Sequence, residues 1–166
     1  LEGALDYLAL RPDVDQKRVF LMGFSGGAAV SIYVAAQRKE ISALVSCASP
    51  AEFRDLNTGK NLREFLTHAR EVGIIRDPNF PASPAQWKKG FRVVEPLKWV
   101  DRIPPRPLLL IHGTADDVVD VGHARTLYEK AGKKAELFII EGAQHRLRVD
   151  ERAINKAIEW LKEQAF

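Results

Sequence analysis

A single cysteine, Cys47, rules out an internal disulfide. No apolar run approaches the ~18 residues that a membrane-crossing helix needs, and no stretch has the order of a secretory leader. The expectation is a chain that works in the cytoplasm, with no membrane partner. An excess of one charge is lacking too: 25 lysines and arginines stand against 22 aspartates and glutamates, for a net charge of +3. The densest basic stretch, Arg146, Arg148 and Arg152, alternates with Asp150 and Glu151, so it reads as a solvated face and no nucleic-acid partner is expected. Glycine-rich phosphate loops are missing. Ser25 stands where the dinucleotide fingerprint needs a glycine, and no Gly-Lys follows as in the Walker pattern. Neither a cofactor nor a metal site is expected.

What is present fits one ordinary globular domain. Hydrophobic residues make up 46% and charged residues 28%, which excludes the low hydrophobicity and high net charge of a disordered chain. The 166 residues are enough to bury a real core. Arg18–Phe24, Ser42–Ser49, Pro107–His112 and Ala135–Glu141 are short apolar runs bounded by turn residues, and read as buried strands. Gly26–Gln37 is apolar nearly all round, which suits a helix under other layers. Ala124, Leu127, Tyr128 and Ala131 share one helical face. A last helix from about Asp150 turns Ala153, Ile154, Ala157, Ile158 and Leu161 inward. Strands alternating with helices predict an α/β fold: a parallel sheet of about four strands with helices on its flanks.

One connection is much longer than a crossover needs, from Pro50 to Pro105. Asn61-x-x-Glu64 reads as a capping box ahead of Leu62, Phe65, Leu66 and Ala69, and Ser83-Pro84-Ala85-Gln86 as another. Residues 50–105 are therefore expected to form a helical, cap-like insertion within a single domain over 1–166. At the front, Leu1, Ala4, Leu5 and Leu8 make an amphipathic face with nothing before it to pack on. Upstream residues are expected to belong to the fold.

Gly23-Phe24-Ser25-Gly26-Gly27 fits G-x-S-x-G, and its setting matters more than the string. A strand ends at Phe24 and a helix begins at Gly26, so Ser25 sits on a strained turn that lifts its hydroxyl above the sheet. Gly23 and Gly27 are expected to be glycines because strand and helix approach closely there. His112-Gly113-Thr114-Ala115-Asp116-Asp117-Val118-Val119 follows the third strand, where open α/β sheets place site residues. Asp116 and Asp117 compete as the acid that orients a histidine, with Asp120 a distant third; either of the first two could instead cap a turn or the next helix. His112 is expected to hold the strand end. His145, in Gly142-Ala143-Gln144-His145, follows the fourth strand and is the candidate base. His68 and His123 are not at strand ends. The order Ser, Asp, His along the chain is that of α/β-hydrolases.

Pro107–Val121 resembles the "HGxxDxxVP" segment of α/β-hydrolase esterases, dienelactone hydrolases and prolyl-oligopeptidase-like relatives, and the likeness covers nearly the whole chain. It implies the C-terminal part of that fold, lacking the N-terminal strands. By that resemblance Ser25 is the nucleophile, Asp116 rather than Asp117 the acid, and His145, in a "GAxH" motif, the base. Asp120 departs from the family's usual proline. The family's loop before the elbow supplies half of its oxyanion hole; here the Gly26 N–H is the remaining donor, and losing one such donor costs about 10²–10³ in rate.

The expected function is hydrolysis of carboxylic esters through an acyl-enzyme on Ser25, with a small ester or acyl compound as substrate. The alternatives are a peptidase or dienelactone-type hydrolase, or a non-catalytic fragment or interaction module that retains the triad. Phe65, Leu66, Phe80, Trp87 and Phe91 are candidates to line an acyl pocket or to form the insertion's own core. The apolar strand 18–24 is expected to be a sheet edge that is either completed by an upstream segment or paired in a homodimer.

Overall fold

The computed structural model of the chain describes residues 1–53 and 59–165, without the side chains of 59–61. Four strands, β1 (Val19–Phe24), β2 (Ile41–Cys47), β3 (Leu108–Gly113) and β4 (Ala135–Ile140), form one sheet in the order β1-β2-β3-β4. Every pairing is parallel. Each strand lies within two residues of its expected bounds, because a continuous apolar run bounded by polar residues marks a strand buried on both faces. In β3 every residue is buried.

Side chains alternate across the sheet, so the two faces bury two separate cores. Val19, Leu21, Ile41, Leu44, Leu108 and Leu110 pack against α1 (Glu2–Ala9), α2 (Gly26–Gln37) and α5 (Gly122–Ala131). Ala43, Val45, Cys47, Leu109 and Ile111 face α6 (Glu151–Glu163) through Ala153, Ala157 and Trp160. Burial of Cys47 pushes its thiol pKa up to about 12, which leaves it an inert core residue. The α2 helix buries seven of its residues, from Ala28 to Ala36, as its composition requires. Its C-terminal carbonyls are closed by a residue that no motif marks. The Arg106 guanidinium donates to the carbonyls of Ala35 (2.7 Å), Arg38 (3.2 Å) and Ile41 (3.0 Å), which ties the helix end to the entry of β3.

Between β2 and β3 lie α3 (Gly59–Glu71) and α4 (Pro84–Val93). Ser83 caps α4 as expected, accepting from Gln86 N at 3.3 Å, with Pro84 in the first turn. The other expected box is displaced: α3 already runs from Gly59, so Asn61 is inside the helix, and its side chain lies outside the described residues. Aromatic contacts join the two helices. Trp87 lies with its ring centroid 5.8 Å from Phe65, 5.7 Å from Phe80 and 4.9 Å from Phe91.

One detail of packing differs from expectation. In α6 the inward stripe is Ala153, Ala157 and Trp160, whereas Ile158 is 45% exposed. Trp160 is held there by a 2.6 Å hydrogen bond from its Nε1 to Glu136. At the front, only Leu5 of the apolar face of α1 is buried.

Candidate active site

The turn after β1 is built by close approach. A Cβ at Gly23 would lie 2.7 Å from Ala28 Cα and 2.8 Å from the Gly27 carbonyl oxygen, so that position takes no side chain. Gly27 corrects the expectation: a Cβ there would meet nothing within 4 Å, because it points away from the strand. Ser25 itself has φ 54° and ψ −126°, a left-handed conformation that costs a non-glycine residue on the order of 1–3 kcal/mol. The surrounding bonds hold it there. Ser25 N donates to Cys47 O at 2.9 Å, and the Ser25 carbonyl accepts from Ala28 N at 3.0 Å and Ala29 N at 3.2 Å. The Gly26 N–H opens α2, where a helix leaves its first donors without intrahelical partners.

Two loops from neighbouring strand ends meet this turn, and they are bolted together. A Cβ at Gly113 would fall 2.1 Å from the Ala143 carbonyl oxygen, so glycine lets the loops touch. Thr114 N donates to Ile140 O at 3.1 Å, Ala115 N to Ala143 O at 3.0 Å, and Gly142 N to the Thr114 hydroxyl at 2.9 Å. Thr114, which the motif reading passed over, ties the two loops together; its signal was its place directly after the strand-end glycine.

The structure brings Ser25, His145 and Asp116 together across 120 residues of chain. His145 Nε2 is 2.9 Å from Ser25 Oγ, while His145 Nδ1 lies 2.9 and 3.0 Å from the two oxygens of Asp116. An ionised carboxylate only accepts, so Nδ1 carries the hydrogen and Nε2 is left bare towards the serine. The Asp116 side chain is fully buried. Burial is the largest influence on its pKa and pushes it up. The N–H groups of Val119 and Val118 and the His145 ring pull the other way and win, leaving it below the usual carboxylate range.

The competing candidates fall elsewhere. Asp117 is exposed. Asp120 accepts from Gly122 N at 2.7 Å in the turn that leads into α5. Asp116 also accepts from Val118 N (2.9 Å) and Val119 N (2.8 Å), so turn-capping and orienting a histidine are one residue's work. His68 is exposed on α3. His123 accepts from Ala51 N at 3.1 Å and lines the same cavity as Ser25. His112 is wholly buried, its Nε2 2.8 Å from Val119 O.

A cavity of about 280 Å³ opens beside Ser25 and Gly26, walled by Phe53, Phe65, Phe91, Val118 and Val119 with Glu52 at its side. Of the expected lining residues, Phe65 and Phe91 reach it. Leu66 is buried instead, and Phe80 and Trp87 border a second cavity of about 370 Å³ with Ile74 and Ile75. Phe53, which follows β2, carried no signal in the sequence. Among the described residues no cluster of His, Cys, Asp and Glu could hold a metal ion, and no helix is long and apolar enough to cross a membrane.

The model of the prolyl oligopeptidase family matches residues 2–165. Over 153 residues the chain is 27% identical to human dipeptidyl peptidase 8, covering 89% of this chain and 15% of that protein. A shorter match, 44% identical over 39 residues, joins it to human alpha/beta hydrolase domain-containing protein 17C, over 24% of this chain and 12% of the other. The chain thus spans a small part of the curated relatives it matches. Among solved structures, a puromycin-hydrolyzing peptidase of Mycobacterium tuberculosis superposes with TM-score 0.71 at 18% identity, over 98% of this chain and 24% of that one. The alpha/beta hydrolase GrgF from Penicillium sp. sh18 gives TM-score 0.70 at 19% identity, over 99% and 70%. At these identities the likeness shows the fold, the C-terminal part of the α/β-hydrolase fold.

Proposed function

The chain belongs to the prolyl oligopeptidase family of α/β-hydrolases, and on that premise we propose that it is a serine hydrolase working through an acyl-enzyme on Ser25. The observation that carries the reading is the unbroken relay from the Asp116 carboxylate through His145 to the Ser25 hydroxyl, each contact at 2.9–3.0 Å. His145 takes the serine proton through Nε2 as Oγ attacks the carbonyl carbon. The buried, ionised Asp116 holds the ring in the tautomer that can do so, and stabilises the imidazolium that forms. The same Nε2 then gives its proton to the leaving oxygen or nitrogen. Water, activated the same way, releases the acyl group. The Gly26 N–H is aimed by α2 to receive the developing oxyanion.

A carboxylic ester is the substrate class that this machinery turns over most readily, its alkoxide needing less help to leave than an amine. The insertion over 50–105 would supply the acyl pocket's outer wall, with Phe65 and Phe91 against the acyl group. A peptide bond is the second reading. It is favoured by the family match and by the similarity to dipeptidyl peptidase 8. Both use the same three residues. Fluorophosphonate labelling of Ser25, alongside hydrolysis of a short p-nitrophenyl ester and a matched p-nitroanilide, tests all of this. Labelling with turnover of either substrate is expected, and Ser25→Ala should abolish both while leaving the fold intact. Turnover that survives in the purified variant would end the nucleophile assignment, and absence of both in the parent chain would favour a non-catalytic module.

A further inference from the structure

His112 has no task in the reaction just described, yet it lies directly behind the acid. It sits near the end of β3, after Leu108, Leu109, Leu110 and Ile111, all buried; its own exposure is zero. A strand end of that kind is filled most simply by another apolar side chain. The imidazole instead brings two polar atoms into the core. Its Nε2 is 2.8 Å from the Val119 carbonyl oxygen, which can only accept, so Nε2 bears the hydrogen. Its Nδ1 is then a bare acceptor, buried and without a hydrogen-bond partner among the described residues. Protonation would place an N–H in that partnerless position, and burial lowers the ring's pKa. The ring is held as a neutral donor.

That donor has two neighbours belonging to one group. Val119, whose carbonyl it grips, gives its own N–H to Asp116 Oδ1 at 2.8 Å. The same Nε2 also lies 3.2 Å from Asp116 Oδ2, the oxygen that faces His145 Nδ1 at 2.9 Å. His112 therefore fixes the peptide that holds one carboxylate oxygen, and sets the positive end of its N–H beside the other.

We infer that His112 is a positioning residue for acyl transfer, clamping Val119 and the Asp116 carboxylate from behind so that His145 is aimed at Ser25. The inference rests on the triad reading above. A side chain that only filled the strand end would affect folding without affecting the reaction of folded molecules.

Three variants separate these roles. His112→Gln can carry an amide N–H to about the Nε2 position, His112→Asn reaches only the Nδ1 position, and His112→Leu fills the space with no donor. The probe is p-nitrophenyl acetate, with sites counted by fluorophosphonate and melting followed in parallel. For folded His112→Leu and His112→Asn, kcat should fall by up to about 10²-fold with KM little changed, the loss expected when a catalytic group is slightly misplaced. His112→Gln should recover most of that loss. If His112→Leu does not fold, His112→Asn decides in its place. Parental kcat in folded His112→Leu or His112→Asn overturns the inference. So does a His112→Gln protein that melts like the parent but is as slow as His112→Asn. A parent chain that neither labels nor turns over is a different failure: it removes the triad reading itself, and the clamp with it.

Discussion

A Cβ built on Gly23 would lie within 2.8 Å of two backbone atoms in the first turn of α2, and backbone cannot swing aside as a side-chain tip can. Gly23→Ala must therefore part strand from helix at the nucleophile. Overpacking of this sort costs about 1–3 kcal/mol, and fluorophosphonate labelling should slow with it. Gly27→Ala is the contrast, since its Cβ meets open space and alanine suits a helix better than glycine by about 1 kcal/mol. Urea midpoints of the two variants should move in opposite directions, and labelling should slow only in Gly23→Ala; equal damage would mean that helix and strand are not in close contact at the turn. The two neighbouring aspartates differ as sharply. Asp116→Asn leaves His145 facing an amide and favours the wrong tautomer, which in a comparable triad costs about 10⁴ in kcat. Asp117 is exposed, and Asp117→Asn should change ester hydrolysis little. A more damaging Asp117→Asn would reassign the acid.

Elements were legible where one physical signal dominated. The strands were readable because a run such as Leu108 to Ile111 has no polar residue to present to water, and α4 because Ser83 and Pro84 mark its start by local chemistry. Ser25 could be picked out because it directly follows a strand, and His145 because it lies in the loop after β4, whereas Asp116 and Asp117 both follow β3 and only the family resemblance chose between them. What stayed hidden depends on partners distant in sequence. The reach of Arg106 to the end of α2, the meeting of Gly113 with Ala143, and Phe53 in the cavity wall have no local pattern. The facing of α6 was misjudged at Ile158 because helical spacing alone admits a stripe rotated by part of a turn. Trp160, with an Nε1 partner on β4, sets the actual rotation. Ile158→Ala should accordingly shift stability by no more than about 0.5 kcal/mol, as surface changes do, while Trp160→Ala should cost about 3–5 kcal/mol. Denaturation midpoints compare the two directly. A larger loss at Ile158 would mean that this face of α6 is covered.

At the scale of the whole molecule, acid acts on two groups buried at one place, and their windows differ. Burial is the main influence on His112 and lowers its pKa; His123 and His145 add to this, against the Val119 carbonyl and Asp116. Asp116 also ends below its free value, because Val119, His145 and Val118 together outweigh the burial that would raise it. In both cases the unfolded chain takes up a proton at a higher pH than the folded one, so stability falls as pH falls. For His112 the contribution is complete above the free imidazole value of about 6.5, and is lost from there down through its lowered folded value. For Asp116 it is complete above about 3.9 and is lost below that. The net charge, already +3 at neutral pH, grows as carboxylates protonate, so self-repulsion deepens the second loss. Urea midpoints followed by tryptophan fluorescence should therefore hold level above about pH 7, fall first below about 6.5, and fall again below about 4. His112→Gln should lack the first fall and keep the second; Asp116→Asn should start less stable and lose less in the second window. A parent curve that stays flat down to pH 4, or a His112→Gln curve parallel to it throughout, would show that the ring behind the acid already shares its proton with solvent.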